Sequence, residues 1–148
     1  MTRLRGSIEI HRPVDEVFDF VADQRNEPSY NPKMVESVKL TEGPIGVGTQ
    51  FRSTVESRGG PVQVTIECTG FDRPHRLASR STMTGAVVEG EVQCRPVSGG
   101  TLFSWDWDVA ASGPARLAGP LIGWIGRRQE RSIWTGLKGL LEGTRSAP

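Results

Sequence analysis

PARLAGPLIGWIGRRQERSIWTGLKGLL, residues 114–141, is the segment of this chain long and periodic enough to form a major helix. At about 100° per residue, Ile122, Gly126, Gln129, Ile133, Leu137 and Leu140 fall within one narrow arc, with Glu130 and Leu141 flanking it. That arc is expected to face a sheet. Arg127, Arg128 and Arg131 lie on the opposite side, where their heads stay in water and their stems cover apolar surface. Higher up, Leu117, Leu121 and Trp124 project to the side that the arginines occupy one turn later. One straight helix does not bury both sets against a single sheet face, so Pro120 is the expected articulation.

Working outward, almost everything before this helix alternates with a period of two. In residues 3–11, Leu4, Gly6, Ile8 and Ile10 share one side and Arg5, Ser7, Glu9 and His11 the other, as in a half-buried strand. Pro13 then opens a short helix with Asp15 and Glu16 in its first turn and Val14, Val17, Phe18 and Val21 as its apolar stripe. Residues 24–33 are polar and hold two prolines, which predicts a loop or a short helical turn with Tyr30 as its large side chain. Strands follow at 35–42, 49–57, from Val62, at 76–83, around Val88 to Cys94, and around Phe103 to Val109, separated by Gly- and Pro-rich turns. The order is strand, short helical region, six antiparallel strands, long helix. This is an α+β layout. A seven-stranded antiparallel sheet curls, and one long helix laid in its concave face fills that groove incompletely, which leaves a pocket.

Composition narrows the functions. At 148 residues the chain is expected to be a single domain over 1–148, with one core. A formal charge of +1 gives no basic field for nucleic acid. The N-terminus runs straight into an alternating strand without an apolar leader, and no apolar run reaches roughly 20 residues, so the expected location is the cytoplasm. Cys68 and Cys94 sit in alternating apolar runs without a CxxC or Cys/His cluster and read as reduced core thiols. Neither a metal site nor a phosphate or dinucleotide motif is present in the pattern, and no cofactor is expected.

Several stretches carry a resemblance: IEIHRPVDEVFDFVAD (8–23), YNP (30–32), GTQF (48–51), FDRPHRL (71–77), GGT (99–101) and LKGLLE (137–142). In these, and in the order of its elements, the chain resembles the START-like superfamily of helix-grip proteins, within it the polyketide cyclase/dehydrase-like branch. The resemblance implies a curved seven-stranded antiparallel sheet wrapped around the C-terminal helix, with short helices between strands 1 and 2. It also implies a cavity for a small apolar molecule, whether lipid, polyketide or aromatic. Each stretch marks a turn, cap or core position and none is a catalytic motif, so the fold does not by itself set the function.

The candidate ligand contacts are Tyr30, Phe51, Ser53, Ser79, Met83, Phe103, Trp105, Gln129 and Ile133. The alternating aromatics Phe103, Trp105 and Trp107 either line an aromatic cavity or are ordinary core. Ser53, Ser79 and Ser81 share the inward parity of Phe51 and Leu77; inward hydroxyls mean room for a ligand or water, or exposure at an edge. Gln129 lies on the inner arc of the helix and needs a partner, either a ligand or water or a strand hydroxyl. Catalytic residues are not assigned. Glu67, Glu89, Glu91, Asp106 and Asp108 all fall on the polar side of their strands, His11 and His75 read as exposed, and Tyr30, Glu130 and Arg80 are the inward acid/base candidates. Three functions compete: a binding or carrier protein, a cyclase or dehydrase, and lipid or quinone handling at a membrane surface. Leu117, Leu121 and Trp124 serve as a pocket lid, a homodimer contact or a membrane interface; two arginines beside one tryptophan make a weak anchor, which favours lid or dimer.

Overall fold

A computed structural model of the chain describes residues 2–57, 59–113 and 119–145, with side chains described throughout except at 119–125, 144 and 145. The strands are β1 (Thr2–Ile10), β2 (Met34–Lys39), β3 (Gln50–Val55), β4 (Val62–Asp72), β5 (Arg76–Met83), β6 (Ala86–Val97) and β7 (Gly100–Ala111). Helix α1 is Val14–Ala22, a 3-10 helix spans Gln24–Ser29, and the long helix α2 is Gly119–Arg145. One antiparallel sheet has the order β1-β7-β6-β5-β4-β3-β2. The chain returns from its last strand to pair with its first, so β1 and β2, joined by the short helices, form the two edges.

Alternation holds in the strands as read. Leu4 and Ile10 are buried while Arg3, Arg5 and Glu9 are exposed; Val64, Ile66 and Cys68 are buried while Gln63 and Thr65 are exposed. A β-bulge in β4 changes the parity there. The register slips between Cys68 and Gly70, so Cys68 pairs Ser79 but Phe71 pairs Leu77. Cys68 and Phe71, three residues apart, therefore both face inward, and Phe71 meets Phe18 of α1 edge-on at 5.3 Å.

Helix α2 does not lie along the middle of the sheet. It packs chiefly on β1. Two glycines allow that placement. Gly6 pairs Trp105, and a Cβ on Gly6 would come within 2.3 Å of the Trp105 ring, so the indole leans across β1 where a side chain would otherwise stand. At Gly136 a Cβ would stand 2.7 Å from the Tyr30 carbonyl oxygen, so α2 passes directly beside the Tyr30 backbone. Lys138 Nζ donates to the Glu9 carbonyl (2.7 Å) and to Glu142 Oε2 (2.6 Å), and Glu142 Oε2 also accepts from the His11 backbone N–H (2.9 Å), which fastens the end of α2 to the end of β1.

The core under α2 is aromatic. Trp134, buried, sits 4.8 Å from Phe103, 6.0 Å from Trp105 and 6.0 Å from Tyr30 between ring centroids. Ile133, Leu137 and Leu141 are buried beside it. Pro120 falls in the first turn of α2, a position that tolerates proline without a kink. Leu117 lies outside the described residues, as do the side chains of Leu121, Ile122 and Trp124.

Candidate ligand-binding site

Because α2 covers the β1 side, the inner faces of β4, β5 and β6 stay uncovered. They form one wall of a cavity of about 530 Å³, closed on the other side by α2 and by the segment between α1 and β2. This size falls in the roughly 300–1,000 Å³ range of small-molecule sites. The strand wall is apolar with two hydroxyls: Val64 and Ile66 from β4, Leu77, Ser79, Ser81 and Met83 from β5, Val88 and Val92 from β6. The opposite side carries polar groups. Gln24, Glu27, Tyr30 and Asn31 come from the α1–β2 segment, and Gln129, Glu130, Ile133 and Trp134 from α2.

Of the residues expected to touch a ligand, Tyr30, Ser79, Met83, Gln129 and Ile133 line this cavity. The other four lie elsewhere, each for a physical reason. Phe103 and Trp105 are buried under α2 against Trp134, because the helix lies over their end of the sheet instead of leaving it open. Trp107, one alternation further along β7, is the tryptophan of that strand in the cavity wall. Phe51 packs with Val64 and Ile66 in a separate apolar cluster, and Ser53, fully buried, donates its hydroxyl to Ser37 Oγ at 3.0 Å on the neighbouring edge strand. Arg80, an acid/base candidate from sequence, points outward beside Glu89 at 3.7 Å.

Glu27, Asn31 and Trp134 are not singled out by the sequence pattern, whereas Trp107 belongs to the alternating aromatic run that it marks as cavity or core. Glu27 and Asn31 lie in a proline-rich segment without period, which gives no signal of facing. Trp134 does leave one: Glu130, Trp134, Leu137 and Leu141 follow the four-and-three spacing of a helix face, one residue round from the arc centred on Ile133.

The polar end of the cavity is carboxylate-rich. Glu27 Oε2 accepts from Asn31 Nδ2 at 2.8 Å, and Glu130 Oε2 accepts from Trp134 Nε1 at 2.8 Å. Burial raises the Glu27 carboxyl above its ordinary range, with the Asn31 amide opposing. Glu130 is pushed up to about 7, first by burial and further by the charge of Glu27, while the Trp134 and Trp107 indole N–H groups favour its charged form. Trp107 Nε1 stays outside hydrogen-bond geometry and is the buried side-chain donor left without a partner among the described residues. The Tyr30 hydroxyl is raised well above its usual value by burial and by both carboxylates. Near neutral pH, then, the cavity holds a carboxyl group able to give or take a proton. No group of His, Cys, Asp and Glu suited to a metal occurs among the described residues. Nor is any helix there long and apolar enough to cross a membrane.

A curved antiparallel sheet closed by a C-terminal helix over an apolar cavity is the START-like helix-grip fold. Within it, the chain belongs to the polyketide cyclase/dehydrase and lipid transport family, which it matches over residues 1–142. Among solved structures it is similar to a START superfamily protein from Mycobacterium smegmatis (TM-score 0.84, 18% identity, 97% of this chain and 99% of that one). It is also similar to the ZhuI aromatase/cyclase from Streptomyces sp. R1128 (TM-score 0.80, 18% identity, 98% and 96%). A third is the protein TTHA0849 from Thermus thermophilus (TM-score 0.80, 18% identity, 97% and 99%). At these identities the likeness is one of fold. No curated protein matches the chain significantly.

Proposed function

We propose that this protein binds and carries a small hydrophobic ligand in the cavity between α2 and strands β4 to β6. The observation that carries the reading is the cavity itself: about 530 Å³, walled by Val64, Ile66, Leu77, Val88 and Val92, with Glu27, Tyr30, Asn31, Gln129 and Glu130 opposite them. Burying an apolar molecule there gains about 25 cal/mol for each Å² removed from water, and the polar end sets its orientation. Tyr30, Ser79, Met83, Gln129 and Ile133 are the proposed contacts. Native mass spectrometry after gentle purification tests this. A co-purifying molecule of a few hundred daltons, lost when Ile133 is replaced by Trp, supports the reading. A folded protein that carries nothing and takes up no apolar dye refutes it.

One observation favours a second reading, a cyclase or dehydrase-type enzyme. Glu130 and Tyr30 are titratable groups inside the cavity, and Glu130, at about 7, is suited to acid–base work near neutrality. Incubation with a reactive poly-β-ketone thioester separates the two. An enzyme turns over more than one equivalent and loses that turnover in Glu130→Gln, whereas a carrier does not alter the product.

A further inference from the structure

Among the described residues, the carboxylates outside the cavity are largely met by arginine or lysine. Asp106 pairs with Arg3 and Arg5, Asp19 with Arg73, Asp23 with Arg25, Glu91 with Arg76 and Glu142 with Lys138. Glu27 and Glu130 are different. Their hydrogen-bond partners, Asn31 and Trp134, are neutral, and both carboxyls line the cavity. Three carboxylates line it in all, with Glu56 exposed at its mouth, and no Lys, Arg or His does so among the described residues. Arg127, Arg128 and Arg131 of the same helix are exposed instead.

We propose that the preferred ligand is an amphipathic amine, its protonated nitrogen held at Glu27 and Glu130 and its apolar body lying along Val64, Val92 and Met83. The proposal rests on the ligand-binding reading above and gives that ligand a charge. Two carboxylates in a desolvated space repel each other, so empty they do not both ionise readily. A cation between them removes the repulsion and offsets the desolvation of each. A carboxylate ligand adds a third negative charge, and a neutral one leaves the pair as it was. The aromatic faces at the same end, Tyr30, Trp107 and Trp134, suit a cationic head further, since a ring face attracts an ammonium within about 6 Å. Ionisation of Glu130 by the cation also sets a full negative charge near Trp107 Nε1, the buried donor without a partner.

Facing Glu130 across the cavity are Glu27 and the Tyr30 hydroxyl; β1 and β7 add no ionisable lining group, Asp106 being turned outward to Arg3. Amine binding therefore drives a proton off the pair, and amine affinity rises with pH between about 5 and 8 as that proton is lost to solvent.

The test is calorimetric titration at neutral pH with three probes that share one aromatic body: naphthylethylamine, naphthylethanol and naphthylacetate. The expected order is amine first, by about tenfold or more over the alcohol, with the acid weakest. Glu27→Gln and Glu130→Gln should each remove most of the amine's advantage while leaving the alcohol within about twofold. Circular dichroism confirms the fold of each variant, and titration in two buffers of different ionisation heat should show proton release for the amine alone. An alcohol or acid that binds as tightly as the amine overturns the proposal while leaving the cavity as a ligand site. An amine preference that survives in the Glu27→Gln/Glu130→Gln double variant also overturns it. Failure of all three probes refutes the ligand-binding reading along with it.

Discussion

Glu130→Gln should change how stability depends on pH, and the size of the change follows from the cavity. In the folded protein the Glu130 carboxyl is raised from 4.5 to about 7, chiefly by burial. A raised acid is protonated when folded and ionised when unfolded, so the unfolded state binds fewer protons in that interval. Stability from this group is complete below pH 4.5, falls as pH rises to about 7, and changes no further above it. At about 1.4 kcal/mol for each pH unit, the loss is up to about 3 kcal/mol, less where water in the open cavity screens the carboxylate. Glutamine cannot ionise and still offers Trp134 Nε1 an acceptor. Urea unfolding of both proteins, stripped of bound small molecules, should therefore give nearly equal stability at pH 4.5 and a more stable variant at pH 8. Asp19, Asp23 and Asp106, held low by hydrogen bonds from Arg73, Arg25 and Arg3, titrate below this window. Glu27, raised by burial, keeps a slope in both proteins, and the difference between them isolates Glu130. Parallel curves from pH 4.5 to 8 would refute the reasoning: Glu130 would then ionise as in water, and the polar end of the cavity would not be desolvated.

Ser79→Phe should abolish binding of apolar dyes while changing stability by less than the about 1–3 kcal/mol of an overpacked core, because Ser79 faces the cavity; a strong loss of stability in urea would mean the space is not open. Trp134→Ala, which removes the ring between Phe103, Trp105 and Tyr30 and the donor to Glu130, should destabilise by about 3–5 kcal/mol, measured in the same way. Cys68 and Cys94 are free and lie on β4 and β6 with β5 between them. Two interstrand spacings come to about 10 Å, beyond the roughly 7 Å reach of a disulfide, so reduction should leave the native mass unchanged. Burial raises both thiols, Cys94 to about 12, so neither should react with a thiol reagent until the protein unfolds.

The strands were legible because a period of two is hard to mistake. Alternation predicts a strand over 76–83, which is β5 to the residue, and the inward parity of Ser79 and Met83 fits their place in the cavity wall. The inner face of the long helix was legible to within one residue of rotation, enough for Gln129 and Ile133 but not for Trp134. What alternation does not carry is which part of a sheet the helix covers. Phe103, Trp105 and Trp107 share one parity, and the placement of α2 on β1, with Gly126 against Leu4 and Trp134 against Phe103 and Trp105, decides that the first two are core and the third is wall. Glu27 was silent for another reason: in an aperiodic segment with Pro28 inside its helical turn, no repeat states which residue turns inward.

That silence reflects how the fold admits charge to its cavity. On the strands, parity works as a filter. Glu67, Glu89, Glu91 and Asp106 all project from the convex face, where Gln50, Arg80, Arg76 and Arg3 meet them. The inward positions of the cavity wall are left to apolar side chains and the hydroxyls of Ser79 and Ser81. Helical segments have no such filter, since a face three or four residues wide holds Glu130 and Trp134 as readily as Leu137 and Leu141. The carboxyls of the cavity interior accordingly come from the 3-10 segment and α2, and Gly136 lets α2 run against the Tyr30 backbone, three residues past Glu27. The strand wall then supplies volume and the two helical segments supply charge. If the proposed amine is the ligand, substitutions at Glu27 and Glu130, without change in the sheet, are expected to alter the charge it prefers.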